Sequence, residues 1–145
     1  MPRGYPDYFG QSIIPRYGSA KKQDGLVSSI AHGSSKWVLN ISTKGIIHGG
    51  YVAFSNVSDP QYVTIIVFVD LVNVMGFGLH NIMHYFNTIE TLVPVFPVIY
   101  DTAGNEYCIG LHGELPFESQ YGVSVSNQTG STINLSAMLY YSEIT

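Results

Sequence analysis

His80 and His84 stand four residues apart in GFGLHNIMHYFN. At helical spacing this puts two imidazoles on one face, the arrangement zinc proteases use. Asn81 rather than a glutamate follows the first of them, so the general base of that chemistry is missing and the pair reads as ordinary polar-face histidines. His48 and His112 each adjoin a glycine and could join a metal or sugar site, but single histidines on strands are usually structural. Cys108 lies in the strand-like run EYCIG and reads as a small buried hydrophobe rather than a nucleophile. Lys44-Gly45 and Gly49-Gly50 in KGIIHGGYV precede no helix that could hold a phosphate, so they read as a turn and a strand bulge. No carboxylates sit at a catalytic spacing, and there is no nucleophile elbow or Walker loop. The sequence therefore predicts no catalytic residue, no metal site and no cofactor. Asn-x-Ser/Thr triplets at Asn40, Asn56, Asn127 and Asn134 are the chance product of an Asn- and Ser-rich chain.

The chemistry that remains is contact chemistry. Tyrosine occurs eleven times in 145 residues, and tyrosines serve protein interfaces and carbohydrate platforms alike. The first 25 residues concentrate it: Tyr5, Tyr8, Phe9, Ile13, Ile14 and Tyr17 lie among Pro2, Pro6 and Pro15 and four glycines. Proline fixes φ and removes donors, so neither a helix nor a continuous strand pattern survives there and an extended arm is expected. Such apolar side chains need a surface to cover them, on the arm's own domain or on a neighbour. Tyr5, Tyr8, Phe9, Ile13, Ile14, Arg16 and Tyr17 are accordingly the candidate interaction residues of the arm, with docking on a neighbour preferred.

Charge is compatible with that preference and equally with a basic tail that merely aids solubility. Arg3, Arg16, Lys21 and Lys22 against Asp7 and Asp24 give residues 1–25 a net +2, whereas Lys36 and Lys44 face eight acids in the rest, a net −6. A basic arm and an acidic body are complementary, including between copies of one chain. An acidic body argues against nucleic-acid binding. Charged residues make up only 11% of the chain, against a usual share of about 25%, so part of the surface is expected to face something other than water. The single cysteine excludes an intrachain disulfide framework. Arg3 is followed by no apolar h-region, so no secretory signal is expected and the chain should first fold in a cytosol.

The elements that must position these surfaces are strands. From Leu26 onward, β-branched and aromatic runs alternate with Gly, Asn, Asp and Ser clusters. Eight strands are predicted, at residues 26–31, 37–43, 46–56, 62–72, 95–101, 106–113, 119–127 and 132–141. Tyr121, Val123 and Val125 should oppose Gly122, Ser124 and Ser126, and Ile133, Leu135, Ala137 and Leu139 should oppose Asn134 and Ser136. Such alternation marks half-buried strands. Residues 101–105 form a hairpin loop with Gly104 available for positive φ, and Pro94 and Pro97 place the strand before it at a sheet edge or a bulge.

YVTIIVFVDLVNVMGFGL, residues 62–79, is apolar enough to suggest a membrane helix. Asp70, Asn73, Gly76 and Gly78 and its β-branched content point to a strand instead, and no membrane partner is expected. That strand would send Val63, Ile65, Val67 and Val69 to one face and Tyr62, Thr64, Ile66 and Phe68 to the other. The second face needs a cover, which makes Tyr62, Ile66 and Phe68 candidate subunit-interface residues unless the following segment covers them. That segment is the one helix candidate, with Leu79, Ile82, Met83 and Phe86 on a stripe.

GYPDYFGQSIIPRYG and KGIIHGGYVAFS resemble segments of short virion proteins of tailed bacteriophages and related viruses. The resemblance covers roughly a quarter of the chain and carries over no functional residue, because such families have no catalytic motif to match. It implies a minor structural protein of the particle, either a capsid decoration (cement) protein or a tail or fibre component, often built on a jelly roll. Residues and resemblance together predict an all-β protein: an eight-stranded antiparallel jelly-roll-like sandwich over residues 26–145, with an extended arm over residues 1–25 and one short helix. The expected role is that of a non-enzymatic protein of the virion, assembled in the host cytoplasm. It would be homo-oligomeric, with a trimer favoured, and would bind the major capsid protein or another virion protein. The alternative is a carbohydrate- or receptor-binding module of a phage tail or fibre.

Overall fold

A computed structural model describes residues 17–85 and 94–144, the side chains of 83–85 excepted. The chain folds as two antiparallel β-sheets with one short helix. In order, the strands are β1 (Lys21–Asp24), β2 (Ser29–Ile30), β3 (Ser34–Ile41), β4 (Gly45–Ser55), β5 (Val63–Val69) and β6 (Val72–Gly78). After helix α1 (Leu79–Tyr85) come β7 (Val95–Asp101), β8 (Glu106–Leu111), β9 (Leu115–Phe117), β10 (Tyr121–Asn127) and β11 (Ile133–Glu143). A 3-10 turn at Pro60–Tyr62 leads into β5. The larger sheet runs β1-β11-β4-β8-β7, with β2 also on β11 and β9 also on β4, and the smaller runs β3-β10-β5-β6.

The alternating patterns bury as expected. Tyr121, Val123, Val125, Ile133 and Leu139 have no exposed surface, and they meet Val63, Ile65, Val67, Val52 and Ile109 in one core between the sheets. At roughly 1.5–3 kcal/mol for each fully buried large side chain, this core dominates the folding energy. Gly50 shows how close the strands come: a Cβ there would collide with the Met138 carbonyl. A bulge places His48 between Tyr140 and Tyr141, as the HGG sequence predicts.

Each of the eight predicted ranges contains a strand, and the described residues contain eleven strands in all. Residues 62–72 are not one strand, because Asp70 and Leu71 take positive φ of 55° and 65° and reverse the chain into β6. The expected strand at 26–31 shrinks to Ser29–Ile30, since the Leu26 N–H leaves the β11 edge to donate to Val38 in the other sheet. In the 101–105 loop the positive φ belongs to Asn105, while Gly104 donates its N–H to the Asp101 carboxylate. Pro97 does lie on an edge strand beside a bulge, with Val98 unpaired.

The arm divides at Tyr17. Tyr17 bridges to Ile144, Gly18 donates to the Glu143 carbonyl, and Lys21–Asp24 pair with Met138–Tyr141 of the same chain. Tyr5, Tyr8, Phe9, Ile13, Ile14 and Arg16 lie outside the described residues. The described part of the expected arm, from Tyr17 onward, therefore lies along β11 of its own chain.

Candidate functional site

The sheet order decides which apolar side chains reach the surface. Strands β6 and β7 end their respective sheets, and α1 packs against both of them and against β5. Leu79 and Ile82 of α1 are fully buried, so the helix closes the core between the two edge strands. Along this lateral edge Leu71 is 71% exposed, Val72 61%, Val98 55%, Ile99 50% and Val74 48%. Both edge strands bulge, leaving Val74 and Val98 without register partners. Bulges are a common way to blunt an edge against pairing, but the usual accompanying Lys is missing from both strands.

A polar clamp fixes the tip of this edge. The Asp70 carboxylate accepts the N–H groups of Glu118 and Ser119, both at 2.8 Å, that of Gln120 at 3.3 Å, and the Ser119 hydroxyl. The Ser119 N–H is the main cause that holds the Asp70 carboxyl below its ordinary range, with desolvation opposing it. Gln120, only 3% exposed, accepts the Leu71 N–H and donates to Asn40 Oδ1. Left-handed backbone is costly for a leucine, and here these hydrogen bonds hold Leu71 in that conformation with its side chain in solvent.

The outward faces of the two sheets also differ. On the smaller sheet Trp37 lies over Gly122, where a Cβ would come within 2.5 Å of the ring, and meets Phe68 at 4.9 Å with the rings inclined by 59°. Ser124, Ser126 and Thr64 line the rest of that face. Ile66 and Phe68 are half-buried there, whereas Tyr62 sits in the 3-10 turn and is 49% exposed. The structure thus brings Ile66 and Phe68 together and separates Tyr62 from them.

On the larger sheet Phe96 covers Gly110 and touches His112, with ring centroids 4.7 Å apart. Beside it two adjoining depressions of about 280 and 560 Å³ share Leu135 and Ser136.

The titratable groups singled out from the sequence serve the fold. His48 Nε2 lies 2.7 Å from Ser142 Oγ, and Ser142 is 3% exposed, so its hydroxyl orients the imidazole rather than facing a substrate. Burial pushes the Cys108 thiol above its ordinary pKa, which disfavours the thiolate. Asn127 is fully buried, donating to the Ile30 and Ser131 carbonyls and accepting from Thr129. His80 is half-buried on α1, and the His84 side chain lies outside the described ones. Among the described residues no group of three His, Cys, Asp or Glu side chains could hold a metal ion.

Sequence reasoning missed the β6 side of this edge, although Pro94 and Pro97 place β7 at a sheet edge or a bulge. Its one available signal was the run of Leu71, Val72, Val74 and Phe77 after Asp70, which a hairpin reading would have placed on an outer strand. The sequence matches no protein-family model, and no curated protein matches it.

Proposed function

We propose that this chain is a non-enzymatic structural protein of a virus particle, a capsid decoration (cement) protein that attaches to the particle surface through its N-terminal arm and through contacts between copies. The observation that carries the reading is the lateral edge of β6 and β7. Leu71, Val72, Val74, Val98 and Ile99 are too exposed for a surface that meets only water, and fully covering each would contribute roughly 1.5–3 kcal/mol. A homo-oligomer, with the trimer favoured, covers them.

A jelly roll suits this role, and the chain's repeated crossing between the sheet β1-β11-β4-β8-β7 and the sheet β3-β10-β5-β6 supports one. Mass spectrometry of gradient-purified virus particles that carry the gene should find the chain in stoichiometric amounts. Its absence from the particle would overturn the virion reading.

A second reading, a carbohydrate- or receptor-binding module of a tail or fibre, has one observation in its favour. Trp37 and Phe68 sit beside Ser124, Ser126 and Thr64 on an outward face, a combination of ring surface and hydroxyls that suits sugar stacking. The aromatic pair lies on the sheet face rather than at an end of the sandwich. Binding on a glycan array that Trp37→Ala abolishes would favour this reading, and an array without hits would remove it.

A further inference from the structure

We infer that the trough across the outer face of the larger sheet is the seat for residues 1–16 of a second copy of this chain. The inference rests on the reading of the N-terminal arm as a docking element, and it assigns that arm a specific receptor.

The trough follows from register. Ser136, Ala53, Cys108 and Ile99 are successive partners across β11, β4, β8 and β7, so three small side chains form a floor running across the strands, with Ile99 at its β7 end. The two depressions join at Ser136, and Tyr51 and Met138 form the wall of the larger one. Four strands at about 4.8 Å spacing make the floor roughly 15 Å long. That length suits four or five residues of extended chain, with aromatic side chains entering the depressions.

Where the described chain begins argues for this occupant. The line from Asp24 back to Tyr17 runs antiparallel to β11 and reaches its far end at Ile144. Ser136 lies about 26 Å behind that point, at ~3.3 Å per residue. The described chain thus begins at the opposite end of β11 from its own trough. Sixteen extended residues reach roughly 50 Å, enough to cross to an adjacent copy and fill its trough.

Charge points the same way. At one end of the trough Glu106 is paired in register with Asp101, and like charges directly opposed are unfavourable unless neutralised. The arm supplies Arg3 and Arg16.

Cysteine cross-linking of the full chain tests the inference. In a Cys108→Ser background, one sample carries Ser136→Cys and a second carries Tyr5→Cys, Phe9→Cys or Ile13→Cys, and the two are mixed and oxidised. At least one arm position should give a covalent heterodimer on a non-reducing gel, and the heterodimer should be lost when Ala53→Trp fills the trough. Melting temperatures of all variants establish that they are folded.

A chain carrying both cysteines that forms only an internal cross-link would overturn docking on a neighbour. Absence of any cross-link from all three positions in a sample of oligomeric native mass would overturn the trough assignment alone. A monomeric native mass for the unmodified full chain would overturn the assembly reading beneath it.

Discussion

The two lateral edges of the sandwich are built on opposite principles. At one, β1 borders β11 with the sequence Lys-Lys-Gln-Asp, and its charges are paired: Lys21 with Glu143 at 3.0 Å and Lys22 with Asp24 at 3.5 Å. At the other, β6 and β7 carry Val72, Val74, Val98 and Ile99 in solvent. Both edges offer unpaired backbone groups, the usual hazard of an open sheet. Lysines on an edge strand disfavour the approach of another sheet, whereas valines at a bulge allow side-chain packing while disrupting backbone pairing. On the proposed reading, the charged edge stays single and the apolar edge is covered by side-chain contact.

The largest expected effect comes from putting charge on the apolar edge. Val72→Asp combined with Val98→Asp should convert the assembled chain to monomers in sedimentation equilibrium with an unchanged circular dichroism spectrum. Lys22→Glu at the opposite edge should leave the mass as it was. Equal effects at the two edges would erase the distinction between them.

Next in size is the clamp that presents Leu71. Asp70→Ala removes an acceptor for three N–H groups and should lower the melting temperature and weaken association together. The acid dependence has a definite sign. Because the folded-state pKa of Asp70 lies below the unfolded value, its contribution is complete above about pH 4 and is lost as pH falls through the folded value. The melting-temperature gap between the protein and Asp70→Ala should therefore narrow on acidification below about pH 4, and a gap constant down to pH 2 would show that the carboxylate form is not what holds the turn.

Smaller and opposite in direction is Tyr121→Phe. The Tyr121 hydroxyl is buried and finds no hydrogen-bond partner among the described residues, and desolvation drives its pKa far above the ordinary phenol value. Removing an unsatisfied buried hydroxyl should stabilise the fold by roughly 1 kcal/mol in urea unfolding. Tyr121 pairs with Ile41 and Val69, inside the sheet and away from both edges, so association should not change. Least of all, Lys21→Ala should cost under about 1 kcal/mol, as befits an exposed ion pair.

Much of this body was legible in the sequence, because burial on one face imposes period-two alternation. Tyr121, Val123 and Val125 on β10 and Ile133, Leu135, Ala137 and Leu139 on β11 announce their inward side directly. The strands that escaped notice are those specified by other means. β1 contains no β-branched residue and is held by backbone pairing and charge. β6 is broken by a bulge at Val74 and by Gly76 and Gly78, and its turn uses Leu71 where asparagine or glycine would be the recognisable signal. β9 is three residues with a central proline.

The candidate interface was half legible. Parity placed Ile66 and Phe68 on the outward face of β5, as observed, but which strand ends each sheet is a property of long-range pairing. Pro97 marked β7 as an edge or bulged strand, but nothing local showed that β6 ends the other sheet beside it.

Hydrogen exchange of the full chain, compared between dilute and concentrated samples, tests the central claim most directly. The account predicts that amides of residues 72–78 and 95–101 gain protection on concentration while those of 21–24 do not. Concentration-independent exchange in β6 and β7, or added protection confined to β1, would contradict it.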